Sequence, residues 1–383
     1  MERRSFIKTV AVGSCAGLLL PSAATAGTVE FPQDGYRYFE LTLVHRLVAP
    51  EGSDGVARLW IPLPEDDVFQ RIRRISFNGN YRDAYITANN AYGAKTLFAE
   101  WPDAKNKPEL TVTLEFLTLD WEPGRNGLLK NYRAPAVIQY PREVQPYLAA
   151  STHIQLDGIV KQTADRIVGS ETDPLKKARL IHDWVSENMT RDESIVGCGT
   201  GDVKATLESG RLYGKCTDIN SVFVALARTS GIPARELYGI RLGRSIKLDR
   251  YTKTALGTAD DKGFYNASRG QHCRAVFYLA GFGWIPCDPA DVTKMRLTEK
   301  MEHGNPDVQA VNDYLFGNWE MNWLGFNYGR DFDLFPTPEQ TPMNTFGYPY
   351  AEVDGDPFNY YDPQGFSYEY SSRELSQPNA KRS

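Results

Sequence analysis

Gly214-Lys215-Cys216-Thr217-Asp218 is followed by apolar side chains at Ile219, Val222, Phe223, Leu226 and Ala227, and then by Gly231-Ile232-Pro233. The apolar residues recur at helical spacing and the Gly-Ile-Pro triplet is a terminator, so the stretch predicts a helix that begins at Cys216 and stops near Gly231. A cysteine in the first turn faces unpaired backbone N–H groups and the positive end of the helix macrodipole, which favour thiolate over thiol. Residue type and placement together predict a nucleophile. Gly214 would let the backbone come close to a substrate, and the Cys216 N–H would donate to an oxyanion. Asp218 is expected to support the first helical turn.

A thiolate needs a proton partner. Downstream, Gln271-His272-Cys273-Arg274-Ala275-Val276-Phe277-Tyr278-Leu279 places a histidine at the start of an apolar strand, Gly281-Phe282-Gly283 makes a turn, and Trp284-Ile285-Pro286-Cys287-Asp288 returns a carboxylate toward the same end. An odd loop would put His272 and Asp288 on one face, and Cys273 and Cys287 on the other. Asp288 is then expected to hold the His272 ring in its working tautomer. Cysteine opening a capped helix, followed by histidine and aspartate on consecutive strands, is the order of a papain-like α+β fold.

Gly214 to Asp218, continued through Ala227-Arg228-Thr229-Ser230-Gly231-Ile232-Pro233-Ala234-Arg235, closely resembles the core of bacterial transglutaminase-like proteins. In that family a G-x-C-x-D segment leads into a helix ending R-x-x-G-I-P-A-R, then a histidine strand and a G-W strand closing on aspartate. The resemblance covers about residues 155–300, and the Trp60-Ile61-Pro62-Leu63-Pro64 strand is similar to the β-domain that often precedes such cores. It implies Cys216 as nucleophile, His272 as general base and Asp288 as its orienter. It also implies an α+β fold, a papain-like transglutaminase core with the helix-borne cysteine packed on an antiparallel sheet, preceded by a β-sandwich domain. The insertion from Gly243 to Gly270 departs from the shortest family members. Six residues before Cys216, where papain-like enzymes place a glutamine donor, this chain has Gly210; Tyr213 is the nearby alternative for an oxyanion contact.

Working outward, Phe39, Leu41 and Leu43 alternate with polar residues, as do Leu110, Val112, Leu114 and Phe116, and this period of two predicts half-buried strands in a β-sandwich over residues 27–135. Thr172-Asp173-Pro174 opens a predicted helix carrying Leu175, Ala178, Ile181, Trp184 and Val185 inward, with His182 read as a packing residue. The catalytic core is expected over 150–300. Residues 301–383, rich in aromatics and proline, are expected as an ordered appendage with strands near Phe346 to Val353 and Phe366 to Tyr370. Asp354-Gly355-Asp356 lacks the later ligands of a calcium loop and reads as a hairpin turn.

Residues 1–26 read as an export signal of twin-arginine type, with Arg3-Arg4-Ser5-Phe6-Ile7-Lys8, an apolar stretch from Val10 to Leu20, and Ala24-Thr25-Ala26 as the cleavage triplet. The expected location is therefore the periplasm or the exterior. The apolar stretch is too short for a comfortable bilayer span, so no stable membrane insertion is expected after its removal. Cleavage leaves 40 basic against 47 acidic residues and a net charge of −7, which offers no footprint for nucleic acid. A protein or peptide is the expected partner.

The four cysteines outside the signal, Cys198, Cys216, Cys273 and Cys287, are too few to staple a chain of 383 residues. Cys273 and Cys287 are expected reduced. No metal-ligand motif or phosphate-binding glycine loop is present, so no metal and no cofactor are expected. The resemblance implies attack of Cys216 on a carboxamide to give a thioester, which water or an amine then resolves. Hydrolysis is favoured, because an exported enzyme needs special shielding from water to prefer an amine. The rival from another class is a non-catalytic peptide- or carbohydrate-binding protein.

Overall fold

The computed structural model of the protein describes residues 35–376, apart from 54, 126, 128 and 252–258. The export signal expected over residues 1–26 lies outside the described residues. The alternation around Phe39 and Leu114 becomes two long antiparallel strands, Arg37–Leu47 and Glu109–Thr118, with Leu41 opposite Leu114. Gln70–Gly79 extends this sheet along Glu109–Thr118. The tryptophan strand, Ala57–Pro62, pairs instead with Thr96–Trp101 in a second sheet. Phe39, Leu41 and Leu114 from the first sheet and Leu59 and Leu97 from the second fill one apolar core. That is the predicted sandwich, held by burial between two faces.

The sandwich does not end where the sequence reading divides it. Phe366–Leu375 lies between Phe264–Asn266 and Arg37–Leu47, and Tyr350–Val353 pairs with Ala57–Pro62. The stretch beyond residue 300 is therefore no appendage, and a piece of the 243–270 insertion joins the same sheet. The physical reason is twofold. Phe366, Tyr370 and Val353 fill the core of the sandwich, and without the last strand Arg37–Leu47 would offer an open row of backbone donors and acceptors. Asp354 and Gly355, both with positive φ (54° and 86°), form the tight turn between Tyr350–Val353 and Asp356–Pro357.

A four-stranded sheet in the order Gly283–Cys287, Gln271–Leu279, Ala234–Arg241, Trp323–Asn327 carries the second core. Against it packs the helix Cys216–Thr229, buried at every position from Cys216 to Arg228. Its end follows the expected signal: Gly231 takes φ +83°, and the Ile232 N–H reaches back to the Ala227 carbonyl at 2.9 Å. Ile159–Val168, Pro174–Asn188 and Pro289–Thr298 flank it. Asp173 caps the second of these by accepting from the Lys176 N–H at 3.0 Å, with Pro174 in the first turn. His182, on that helix, is wholly buried with its ring 6.3 Å from that of Phe223 and 5.3 Å from that of Phe316, the packing role its spacing predicts. The architecture is α+β, with antiparallel sheets and a buried helix presenting a cysteine.

If the last strand is a structural part of the sandwich, Phe366→Ala should cost about 3–5 kcal/mol. Urea unfolding followed by circular dichroism measures it, and a loss well under 1 kcal/mol would detach that strand from the core.

Candidate active site

The site is built where the first turn of the Cys216 helix meets the start of the Gln271–Leu279 strand. Lys215 precedes the helix in extended conformation, and the Asp218 carboxylate accepts from its N–H at 2.9 Å and from the Gly201 N–H at 2.8 Å. Asp218 thus supports the first turn, as expected. A Cβ on Gly214 would lie 2.3 Å from the Asp218 Cβ, so glycine at this position makes room for the cap. Deeper in, the Asn220 side chain donates to the Cys273 carbonyl at 2.9 Å, locking the helix to the strand one residue past His272.

The hairpin pairs Leu279 with Gly283 across a three-residue turn, and Ala275 with Cys287. Position 288 therefore falls on the same face as 272, and the two side chains meet with His272 Nε2 2.7 Å from Asp288 Oδ2. Cys273 and Cys287 share the other face but are offset by two residues, so they do not stand opposite each other; both are free thiols. Two tryptophans fix the backbone behind the pair. Trp323 donates to the His272 carbonyl at 3.1 Å and Trp319 to the Cys287 carbonyl at 3.2 Å. Asp288 is also the cap of the helix Pro289–Thr298, accepting from the Asp291 N–H at 3.1 Å.

Three residues that the sequence reading did not single out complete the electrostatics. Asp291 brings a second carboxylate to 3.6 Å from His272 Nε2 and is itself paired with Arg241. Burial opposes its charge, but Arg241 and then His272 outweigh this and hold its carboxyl far below the ordinary range. Burial and Arg241 push His272 down, yet Asp291 and Asp288 more than reverse this, leaving the imidazole easier to protonate than in water. Cys198 is the third. Its carbonyl accepts from the Thr217 N–H at 2.9 Å, which seats its thiol beside Cys216. The Cys198 thiol directs its S–H to the Gln271 carbonyl at 3.5 Å and that of Cys273 to the Thr217 hydroxyl at 3.6 Å. As neighbours of the Cys216 sulfur, Cys198 and then Cys273 lower its thiol well below the usual range, burial opposes them, and His272 adds to the lowering. The neighbouring thiols of Cys198 and Cys273 are driven the other way, the first chiefly by its bond to Cys216 and the second chiefly by burial. With Nε2 of His272 given to Asp288, Nδ1 is the nitrogen left for Cys216. The arrangement favours a thiolate–imidazolium pair.

Asp291 lies one turn from the capping Asp288 in Asp288-Pro289-Ala290-Asp291, a spacing that was visible; Cys198 and Arg241 come from a loop and a strand end with no local signature. Tyr213, the alternative oxyanion group, is 47% exposed and outside the cavity that Cys216 and His272 line. Arg235 packs as expected, its guanidinium 3.5 Å from the ring centre of Tyr328 and 4.1 Å from that of Trp284. His272, Asp288 and Asp291 offer one donor atom each within 4.8 Å of one another. Arg241 and Arg274 already meet those negative charges, so the set suits a protonated imidazole better than a divalent cation. The cavity itself measures about 620 Å³.

Residues 161–289 match the family model described as the transglutaminase-like superfamily core. An uncharacterised protein of Haemophilus influenzae is 55% identical over 366 residues, which is 96% of this chain and 98% of the relative. A crystal structure of a candidate cysteine protease from Cytophaga hutchinsonii superposes with a TM-score of 0.54 at 13% identity, covering 90% of this chain and 93% of the other, a likeness of fold alone.

Removing the thiol that neighbours the Cys216 sulfur should make that sulfur harder to ionise. In Cys198→Ala the pH midpoint of Cys216 alkylation by iodoacetamide, followed by peptide mass spectrometry, is expected to move upward; an unmoved midpoint would remove Cys198 from the thiolate's support.

Proposed function

This chain belongs to the transglutaminase-like superfamily, and from that premise we propose that it is a thiol hydrolase acting on amide bonds of a protein or peptide through Cys216, His272 and Asp288. The observation that carries the proposal is the 2.7 Å contact between His272 and a fully buried Asp288, beside a cysteine whose thiol is held well below its usual range. A buried carboxylate and imidazole without a chemical task are a poor way to build a core.

In the first half-reaction Cys216 Sγ adds to the carbonyl carbon of the amide, and the carbonyl oxygen takes the negative charge. The N–H of Cys216, at the helix N-terminus, is the donor placed for that oxyanion. The Thr217 N–H is not available for it, being given to the Cys198 carbonyl. The protonated His272 passes its proton to the nitrogen as the C–N bond breaks, leaving an acyl thioester and a free amine, or ammonia when a glutamine side chain is the donor. In the second half-reaction His272 takes a proton from water, whose oxygen attacks the thioester. The acid departs and His272 is left protonated against the Cys216 thiolate. Asp288 keeps Nε2 as the outward-bonded nitrogen through both steps. An amine in place of water would give a new amide by the same route. Hydrolysis is preferred here because the site opens into a cavity lined largely by charged and hydroxyl-bearing side chains, which does not exclude water.

We place the enzyme outside the cytoplasm, on the strength of the twin-arginine segment read in residues 1–26. Among the described residues no helix is long and apolar enough to cross a membrane.

Cys216→Ala should abolish turnover while leaving the thermal midpoint nearly unchanged. The assay is incubation with a glutamine-containing protein and a fluorescent amine, measuring ammonia, new chain termini and incorporated dye together. Dye incorporation without ammonia in its absence would replace the hydrolase by a crosslinking enzyme. Asp288→Asn should lower turnover on the order of 10²- to 10⁴-fold through loss of the imidazole orientation, and equal rates in mutant and parent would take Asp288 out of the mechanism.

A further inference from the structure

The charges around the cavity do not resemble those of the chain. The full sequence carries a net charge of −5. Beside the thiolate–imidazolium pair of Cys216 and His272, whose charges offset each other, the cavity is lined by Arg191, Lys215, Arg241, Arg269 and Lys294 against Glu193 and Asp291. Their pairing can be followed side chain by side chain. Arg191 and Lys215 share the single carboxylate of Glu193, and Arg241 is committed to Asp291. Among the described residues the side chains of Lys294 and Arg269 have neither an ion pair nor a hydrogen bond; the Lys294 carbonyl accepts from the Thr298 hydroxyl within its helix. The two differ in setting. Lys294 is half-buried on the Pro289–Thr298 helix, one turn beyond Asp291, and Arg269 is exposed, two residues before Gln271.

A surplus of cations inside a concave, partly desolvated site is unfavourable in the empty protein. Burial and then the charges of Arg241 and Arg191 work against the Lys294 ammonium, and Asp291 and the Cys216 sulfur support it without outweighing them. Such a surplus is relieved by an anion that enters the cavity. The facing wall is built of tyrosines: Tyr348 and Tyr360 stack at 4.9 Å, and Tyr361 lies 4.5 Å from Tyr360. These rings offer flat apolar faces and hydroxyls, the surfaces against which an extended peptide lies. A simple solvated rim accounts for Arg269 alone; it does not account for Lys294, whose ammonium is drawn inward without an ion pair or hydrogen bond.

We propose that this cavity selects acyl donors bearing a carboxylate close to the scissile amide, with Lys294 and Arg269 as the groups that receive it. The substrate class is an acidic peptide, whose carboxylate comes from an acidic side chain or a free chain end. This rests on the reading of Cys216 as a reactive thiol and deepens it from amides in general to amides with a neighbouring negative charge.

The experiment compares alkylation of Cys216 in the full chain by two probes of nearly equal size, iodoacetate and neutral iodoacetamide, at low ionic strength. Relative to free cysteine, the ratio of the iodoacetate to the iodoacetamide rate should be raised, and added salt should shrink the difference. The ratio should fall about threefold or more in Lys294→Gln and again in Arg269→Gln, and Lys294→Arg, which keeps the charge, should restore it. Arg269 is exposed, so its variant reads the charge without disturbing the core. A ratio equal to that of free cysteine, or one unmoved by either neutralising variant, overturns the proposal while leaving the thiol enzyme standing. Slow labelling by both probes, no faster than free cysteine, overturns the thiol enzyme and this selectivity with it.

Discussion

A carboxylate wholly out of water is costly unless its charge is met, and the centre of this molecule is organised around meeting the charge of Asp288. His272 bonds it at 2.7 Å, Arg274 stands 3.6 Å away, and the backbone of Asp291 donates to its second oxygen. Arg274 is in turn covered by the rings of Trp319 and Trp323, whose indole N–H groups hold the two strands that carry the pair. The same side chain that orients the imidazole also caps a helix. Loosening it would release a strand, a helix start and the histidine together, so the site is rigid for the same reason that the core is.

The pair becomes chemistry only because the Cys216 helix arrives in register. Asn220 fixes the helix to the strand at Cys273, and Asp218 closes its first turn by tying down Lys215 and Gly201. The sulfur is then met by two thiols and an imidazole within a buried pocket, where hydrogen bonds to a charged acceptor are strongest. The three cysteines divide their proton affinities unequally: the one at the helix N-terminus is lowered and its two neighbours are raised.

What could be read beforehand was local. A cap, an apolar repeat and a Gly-Ile-Pro stop define the Cys216 helix within one short stretch, and an odd turn between two apolar runs sets which face His272 and Asp288 share. Asp218 and Arg235 also behave as their positions predict. What could not be read depends on chain segments far apart. Cys198 reaches the site from a loop, Arg241 from the end of another strand, and the pairing of Phe366–Leu375 with Arg37–Leu47 leaves no trace in the periodicity of either. Alternation states that a strand has a wet and a dry face, but it does not state which strand lies beside it. Gly214 shows a subtler limit: a missing side chain is legible in the sequence, but that the Asp218 cap occupies the space it leaves is not.

The pairing of Tyr38 with Leu375 fixes a timetable for the making of the molecule. A ribosome delivers the first of these strands long before its partner, so that sheet waits, unfinished and adhesive along one side, until Phe366–Leu375 has emerged. Completion of this sheet thus waits on a distant segment, and a chain broken off before Phe366 would present that unpaired border to chaperones and proteases as the mark of an incomplete product.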